Sequence, residues 1–280
     1  MKCGYIAILG ATNAGKSTLL NTVAGRHAAI VSHKVQTTRF NIRAVKNIGK
    51  SQLIFIDTPG VFEAKNSFDR RMVSEAWTAM DSADAIVFLI DASKGLTPTF
   101  DRIVEKLKTL DKPISVALNK VDLVHKIKLL ELAGKIFDAG IFEEVFMISA
   151  LKNNGVEQML NWAQTKLPTS PWVFKKNEAT DLDLSTHLAE LTREQVYGYL
   201  HKELPYMISV DTDEIETKGN LLVVSQTIYT TKPAHKQIII GAKGEKLKTI
   251  GSKARASMES ATGKKIHLEL KVAVDSKWRE

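Results

Sequence analysis

Gly10 to Ser17 reads GATNAGKS and fits G-x-x-x-x-G-K-[ST] at every fixed position. Glycines at this spacing let backbone N–H groups turn inward around phosphate oxygens. The lysine can reach the β- and γ-phosphates, and the hydroxyl that follows it can face Mg²⁺. The apolar run Tyr5–Leu9 reads as a strand and Lys16–Gly25 as a helix, the context this loop requires. The helix adds the positive end of its dipole. Gly10, Ala11, Thr12, Asn13, Ala14, Gly15, Lys16, Ser17 and Thr18 are therefore expected at a nucleotide, with Ser17 on the metal.

Three shorter signatures follow in order. DTPG closes the apolar strand Leu53–Ile56 and contributes Asp57, Thr58, Pro59 and Gly60. A carboxylate at that strand end is placed to hold the metal, and the Gly60 N–H to sense a γ-phosphate. NKVD closes the strand Ile114–Leu118 and contributes Asn119, Lys120 and Asp122. A carboxylate suits guanine, whose N1–H and exocyclic amine are both donors, whereas adenine presents neither at those positions; a charged hydrogen bond contributes about 1.5–3 kcal/mol. SAL contributes Ser149, Ala150 and Leu151 after the strand Val145–Ile148, where the Ala150 N–H could meet the guanine oxygen.

The elements that must hold these residues alternate. Apolar strands Tyr5–Leu9, Leu53–Ile56, Ala85–Ile90, Ile114–Leu118 and Val145–Ile148 are interleaved with the helical patterns Lys16–Gly25, Ser67–Met80, Thr99–Leu110, Lys126–Asp138 and Asn154–Lys166. Asn41–Asn47 and Ser51–Ile56, joined through Gly49–Lys50, read as an antiparallel hairpin at one edge. The pattern predicts an α/β fold with a doubly wound, mainly parallel sheet and ligands at the strands' C-terminal ends. Leu167–Asp181, LPTSPWVFKKNEATD, has two prolines and no period, so residues 168–181 read as a linker between domains spanning 1–167 and 182–280. The order after it is helix Leu184–Glu203, strands Met207–Glu216 and Leu221–Thr230, helices Lys236–Ile240 and Glu245–Ala261, and strand Lys265–Val274. This is a smaller α+β domain whose strands are expected to be largely antiparallel.

Composition narrows the partners. A chain of 280 residues with 44% hydrophobic and 25% charged residues has material for two ordinary cores. A lone Cys3 cannot build a disulfide framework and reads as a small apolar residue opening the first strand. No apolar run reaches membrane-spanning length, no secretory pattern opens the chain, and a reduced, cytosolic setting is expected. The net charge is +8, and its placement says more. Residues 181–231 carry 3 Lys+Arg against 9 Asp+Glu, residues 232–280 carry 12 against 5. A basic face set against an acidic body suggests a polyanion. Gly241, Ala242, Lys243 and Gly244 form GAKG between two helices, a turn that lets a sugar-phosphate backbone approach, with Lys236, Lys243, Lys246, Lys248, Lys253 and Arg255 around it. Ile238, Ile239 and Ile240 read as core, part of which could line a base-binding groove.

The four nucleotide signatures together resemble the Ras-like GTPase superfamily across the first domain. Within it, VSHKVQTTRF, Val31 to Phe40, is similar to the first switch of the bacterial Era family. That resemblance implies GTP hydrolysis, GTP and GDP as ligands with Mg²⁺, and a γ-phosphate-sensing, metal-binding threonine, Thr37 or Thr38, with Thr38 preferred. Val61 stands where Ras-like proteins carry a water-orienting glutamine, so slow hydrolysis or help from another group is expected. Asn13 matches the position where some related GTPases hold a potassium ion that acts like an arginine finger. The second domain's element order resembles the type II KH domain, and ELPYMISV with IIIGAKGEKLKTIGSKAR is similar in layout to the same region of the Era family. The likeness covers both domains. It implies binding to the 3′ end of small-subunit ribosomal RNA, help in assembling the small ribosomal subunit and a loose peripheral contact with the inner membrane; nothing in the sequence suggests an obligate dimer, so a cytoplasmic monomer is expected. Pro233–Ala234 in TTKPAHK depart from what phosphate binding would favour. Two other readings compete: a metabolic phosphate-loop enzyme, against which NKVD argues, and a GTPase whose second domain is a protein or membrane-surface adaptor.

Overall fold

The computed structural model describes residues 1–25, 42–58, 67–176, 178, 180–200 and 204–275, which divide into two compact units between Asp181 and Leu182. The first unit runs β1 (Lys2–Gly10), α1 (Lys16–Ala24), β2 (Ile42–Ile48), β3 (Ser51–Asp57), α2 (Ser67–Ser82), β4 (Ala85–Asp91), α3 (Thr99–Leu107), β5 (Ile114–Asn119), α4 (Lys126–Phe137), β6 (Val145–Met147) and α5 (Val156–Lys166). The sheet order is β2-β3-β1-β4-β5-β6. Only the β2–β3 pair is antiparallel, closed through Gly49 at φ 57° as the hairpin pattern predicts. β3, β4 and β5 are buried along their whole length, which requires cover on both faces. Side chains of α2, α3 and α4 share one apolar cluster with β1, β4 and β5, while α1 packs on β1–β3 and α5 on β3 and β6. Cys3 is buried at the start of β1, with its thiol facing Gln52 Oε1 at 3.6 Å. The chain leaves β1 for β3 on one side and β4 on the other, so the strand order reverses at β1. Ligand crevices form at such a switch point.

Among its described residues the stretch read as a linker holds no regular element, yet it is fastened to the first unit. Thr169 bridges Lys2, Thr180 bridges Ala44, and Asn47 Nδ2 donates to the Lys176 carbonyl at 3.1 Å. Gln52, wholly buried in β3, accepts from the N–H groups of Val173 and Phe174 and donates to the Phe174 carbonyl, each at 2.9 Å. Asp181 accepts from the Arg43 N–H at 3.0 Å. Two of these, the Thr180–Ala44 bridge and the Arg43 N–H bond, occupy backbone groups of β2 that would otherwise form an open sheet edge.

The second unit runs α6 (Leu184–Tyr199), β7 (Ile208–Lys218), β8 (Leu221–Thr230), α7 (Pro233–Ile240), α8 (Glu245–Thr262) and β9 (Lys265–Val274). Its sheet order is β7-β8-β9. β7 and β8 pair antiparallel, but β9 lies parallel to β8, against the antiparallel expectation. The reason is the crossover: two consecutive helices return the chain to the sheet in the same sense, as a parallel connection requires. α7 begins at Pro233 rather than Lys236, because proline lacks only an N–H that the first helical turn leaves unused.

Candidate functional site

Register brings the polar ends of four strands together. Asp57 lies opposite Ile8, Gly10 opposite Leu89, and Asp91 opposite Asn119. A Cβ on Gly10 would stand 2.5 Å from the Leu89 carbonyl oxygen, and one on Gly15, at φ 100°, would overlap the Asn119 side-chain amide. The motif glycines thus serve close packing as well as ligand access. Lys16 is buried and donates to the Gly10 and Ala11 carbonyls at 3.0 Å each. Burial pushes its ammonium below the ordinary lysine value, opposed by Asp57, so an incoming anion would be favoured by a poorly solvated cation. Ser17 Oγ donates to Asp57 Oδ2 at 2.8 Å. A hydroxyl beside a carboxylate is the hard-oxygen set that Mg²⁺ takes when nucleotide phosphates complete its shell, so the residues present fit that ion. Thr58 differs from expectation: it is wholly buried and its hydroxyl donates inward to the Ile8 carbonyl at 2.7 Å.

The NKVD and SAL loops are tied to the loop at Gly10–Ser17. Asn119 Nδ2 donates to the Ala14 carbonyl at 2.8 Å, and its Oδ1 accepts from the Ala150 N–H at 2.9 Å. The Ala150 N–H, expected to meet the guanine oxygen, is thus engaged by Asn119 here. Thr22 Oγ1 donates to the Ala150 carbonyl at 2.8 Å, joining α1 to the same loop. Lys120 Nζ donates to the Asn13 carbonyl at 2.8 Å and to Asp91 Oδ2 at 2.7 Å. Asn119 and Lys120 therefore hold the two carbonyls ahead of Gly15. Asp122 remains at the rim with Lys152 Nζ at 3.3 Å from Oδ2; the Ser149 hydroxyl, then Lys152, hold its carboxyl below the usual range against partial burial. It stays an acceptor for paired donors. Leu151 is mostly exposed. Thr18 lies in the first turn of α1, its carbonyl oxygen 3.0 Å from Thr22 Oγ1. Thr12 is half-buried on the loop and Ala11 exposed. Thr37, Thr38, Pro59, Gly60 and Val61 lie outside the described residues.

Sequence reading missed Asp91, Lys152 and Thr22. Asp91 had a signal, since like Asp57 it is a carboxylate ending a buried apolar strand.

The second site lies on α7, the following turn and α8. Gly241 sits at φ 74°, and a Cβ there would come within 2.7 Å of Lys246 Cβ. Gly244, at φ 79°, has nothing within 4 Å on that side, and Lys243 adopts φ 48°. The open side of Gly244 leads into a groove of about 470 Å³ between α8 and β9, walled by Lys248, Gly251 and Arg255 against Leu268 and Leu270. Two cations over an apolar floor suit a sugar-phosphate strand with bases laid inward. Other expected residues are elsewhere. Lys253 Nζ stands 4.9 Å over the Tyr199 ring, Lys246 packs by Gly241, and neither they nor Lys236, Ala242 and Lys243 form the groove walls. Ile239 is wholly in the core, and Ile238 and Ile240 are absent from the groove, because β9 supplies its apolar side.

Fold and site together define a phosphate-loop GTPase domain followed by a KH domain. Residues 5–120 match the family described as 50S ribosome-binding GTPase, and residues 203–279 match the KH domain. GTPase Era of Mesorhizobium japonicum is 40% identical over 276 residues, 98% of this chain and 89% of that protein. GTPase Era of Rhizobium meliloti is 40% identical over 278 residues, 99% of this chain and 89% of its own. The chain belongs to the GTPase Era family. A crystal structure of Era with MgGDPNP and nucleotides 1506–1542 of 16S ribosomal RNA superimposes with a TM-score of 0.93 at 38% identity, covering 100% of this chain and 95% of that one. An Aquifex aeolicus Era variant bound to GDP·AlF4⁻ gives a TM-score of 0.94 at 38% identity, covering 100% and 96%.

Proposed function

We propose that this chain is a GTP-hydrolysing switch that binds the 3′ segment of small-subunit ribosomal RNA through its second unit and assists assembly of the small ribosomal subunit. One observation carries the reading. A nucleotide crevice and an open Gly244 groove edged by Lys248 and Arg255 occur in one chain, whose full length matches an Era structure holding both MgGDPNP and a 16S rRNA segment. Gly10 to Thr18, Asp57, Asn119, Lys120, Asp122 and Ser149 to Leu151 surround the nucleotide, with Asp122 selecting guanine. Ser17, Asp57 and Thr38 hold Mg²⁺, which neutralises phosphate charge. Hydrolysis is slow, with Val61 in place of a glutamine, and potassium at Asn13 assists it; equal rates in sodium and potassium salts would remove the potassium role. A cytoplasmic monomer that touches the inner membrane peripherally completes the reading.

The test is binding of a labelled oligonucleotide from the 16S rRNA 3′ end, first with a non-hydrolysable GTP analogue and then with GDP. Tighter binding with the analogue, lost in Gly244→Asp, is expected. Equal, weak binding in both states that ignores the substitution would leave the GTPase and point to the protein or membrane-surface adaptor instead.

A further inference from the structure

Asp91 belongs to no nucleotide signature, yet its carboxylate is fully committed within the crevice. It is 7% exposed at the end of β4. Oδ1 accepts from the Ser93 N–H at 3.0 Å and the Ser93 hydroxyl at 2.5 Å, closing a turn that fixes the carboxylate plane. Oδ2 then meets Lys120 Nζ at 2.7 Å, and the same ammonium donates to the Asn13 carbonyl at 2.8 Å. Lys120 and Asn13 both adopt φ 64°, an uncommon region for residues with side chains. Two such backbones meeting through one ammonium point to a geometry imposed by its surroundings rather than by local preference.

We infer that Asp91 is a positioning residue for nucleotide binding: it is the counter-ion that holds the Lys120 ammonium against the Asn13 carbonyl and so fixes the phosphate loop. This rests on the nucleotide reading above and adds a residue to it. Without the carboxylate, Lys120 keeps one neutral acceptor and gains rotamer freedom, so the loop carbonyl at Asn13 loses its clamp while Asn119 still holds Ala14. Burial would raise the Asp91 carboxyl, but hydrogen bonds from Lys120 and Ser93 outweigh it and keep the group below the ordinary carboxylate range. The carboxyl is therefore charged at neutral pH. On that reading, the groups positioned this way serve the part of the nucleotide that GDP and GTP share.

The experiment compares wild type, Asp91→Asn, Lys120→Gln and the double variant by dissociation of fluorescent GDP and a fluorescent GTP analogue, with melting of each nucleotide-free protein. Asparagine keeps the size and the Ser93 turn but removes the charge. Asp91→Asn is expected to speed release about tenfold to a hundredfold, the scale of one charge-assisted hydrogen bond. The factor should be the same for both nucleotides, and the double variant should be little worse than Lys120→Gln. Additive effects, release within twofold of wild type, or melting that falls with no change in release would each overturn the inference. Wild type that binds neither nucleotide would instead sink the nucleotide reading itself.

Discussion

The two sites solve opposite problems with the same residue, glycine at positive φ. At Gly15 the space beyond the Cα is filled by the Asn119 amide, and around it the polar groups of four strands hold one another. At Gly244 the space is open and leads into a groove whose cations, Lys248 and Arg255, lie on an exposed helix face. The first arrangement fixes its donors in advance, so a ligand finds little left to order. The second leaves long side chains free and gains from charge and access, as sequence-tolerant strand binding does. On the proposed function, crowding goes with the site that would discriminate and vacancy with the site that would admit a polymer.

Replacing each glycine with alanine breaks this comparison most directly. Gly15→Ala takes on left-handed strain of about 1–2 kcal/mol and overpacking of about 1–3 kcal/mol against Asn119. Affinity for fluorescent GDP should fall by about a hundredfold or more. Gly244→Ala takes on only the strain, so RNA affinity should fall by about tenfold, with melting of the second unit slightly lowered. Equal losses at the two positions would mean that the crowding around Gly15 has no energetic weight.

The next effect tests how far the first site's interlocking extends. Gln52→Ala removes the side chain that satisfies Val173 and Phe174, leaving partly buried donors and an acceptor unpaired at about 1–3 kcal/mol each. We expect about 2 kcal/mol or more of lost stability by urea unfolding, and faster proteolysis within residues 168–181. A loss under 0.5 kcal/mol would make the segment a free linker after all. Its docking was invisible in the sequence because two prolines and irregular composition report only the absence of a period, whereas the bonds come from a glutamine 121 positions upstream of Val173. By contrast the strands and the order of both units were legible, since apolar runs and turn glycines act locally. The parallel placement of β9 was not, as pairing sense depends on how α7 and α8 return the chain. Motif spacing picked out residues that the fold brings together, yet it could not tell that Asn119 and Lys120 spend their side chains on loop carbonyls. It also counted every lysine near GAKG alike, although helical phase sends Lys253 to Tyr199 and only Lys248 and Arg255 to the groove.

That phase difference gives a smaller, sharper test. Lys248→Glu and Arg255→Glu should each weaken RNA binding about tenfold and lower the slope of log affinity against log salt by about one. Lys253→Glu should change affinity by less than threefold, because its cation faces the Tyr199 ring. Fluorescence anisotropy at several salt concentrations separates these outcomes. An equal loss for all three would mean that diffuse charge, rather than the groove, holds the strand.

The smallest effect lies where the second unit begins. Asp183 caps α6, with Oδ1 accepting from the Thr186 N–H at 2.9 Å and Oδ2 from its hydroxyl at 2.7 Å. Removing such a cap costs about 1 kcal/mol, so Asp183→Ala should lower stability by that amount at pH 7. The backbone bond from Thr186, then its hydroxyl, hold the carboxyl below the ordinary range. A folded value below the unfolded one means the contribution is complete above the usual carboxylate pKa and fades as pH falls through the lowered folded value. The gap between wild type and Asp183→Ala should therefore be full at pH 7 and shrink below about pH 4. Unfolding curves at the two pH values measure it. A gap that stays constant into acid would show that the cap acts as a neutral hydrogen-bonding group, and the charge at the start of α6 would then be incidental.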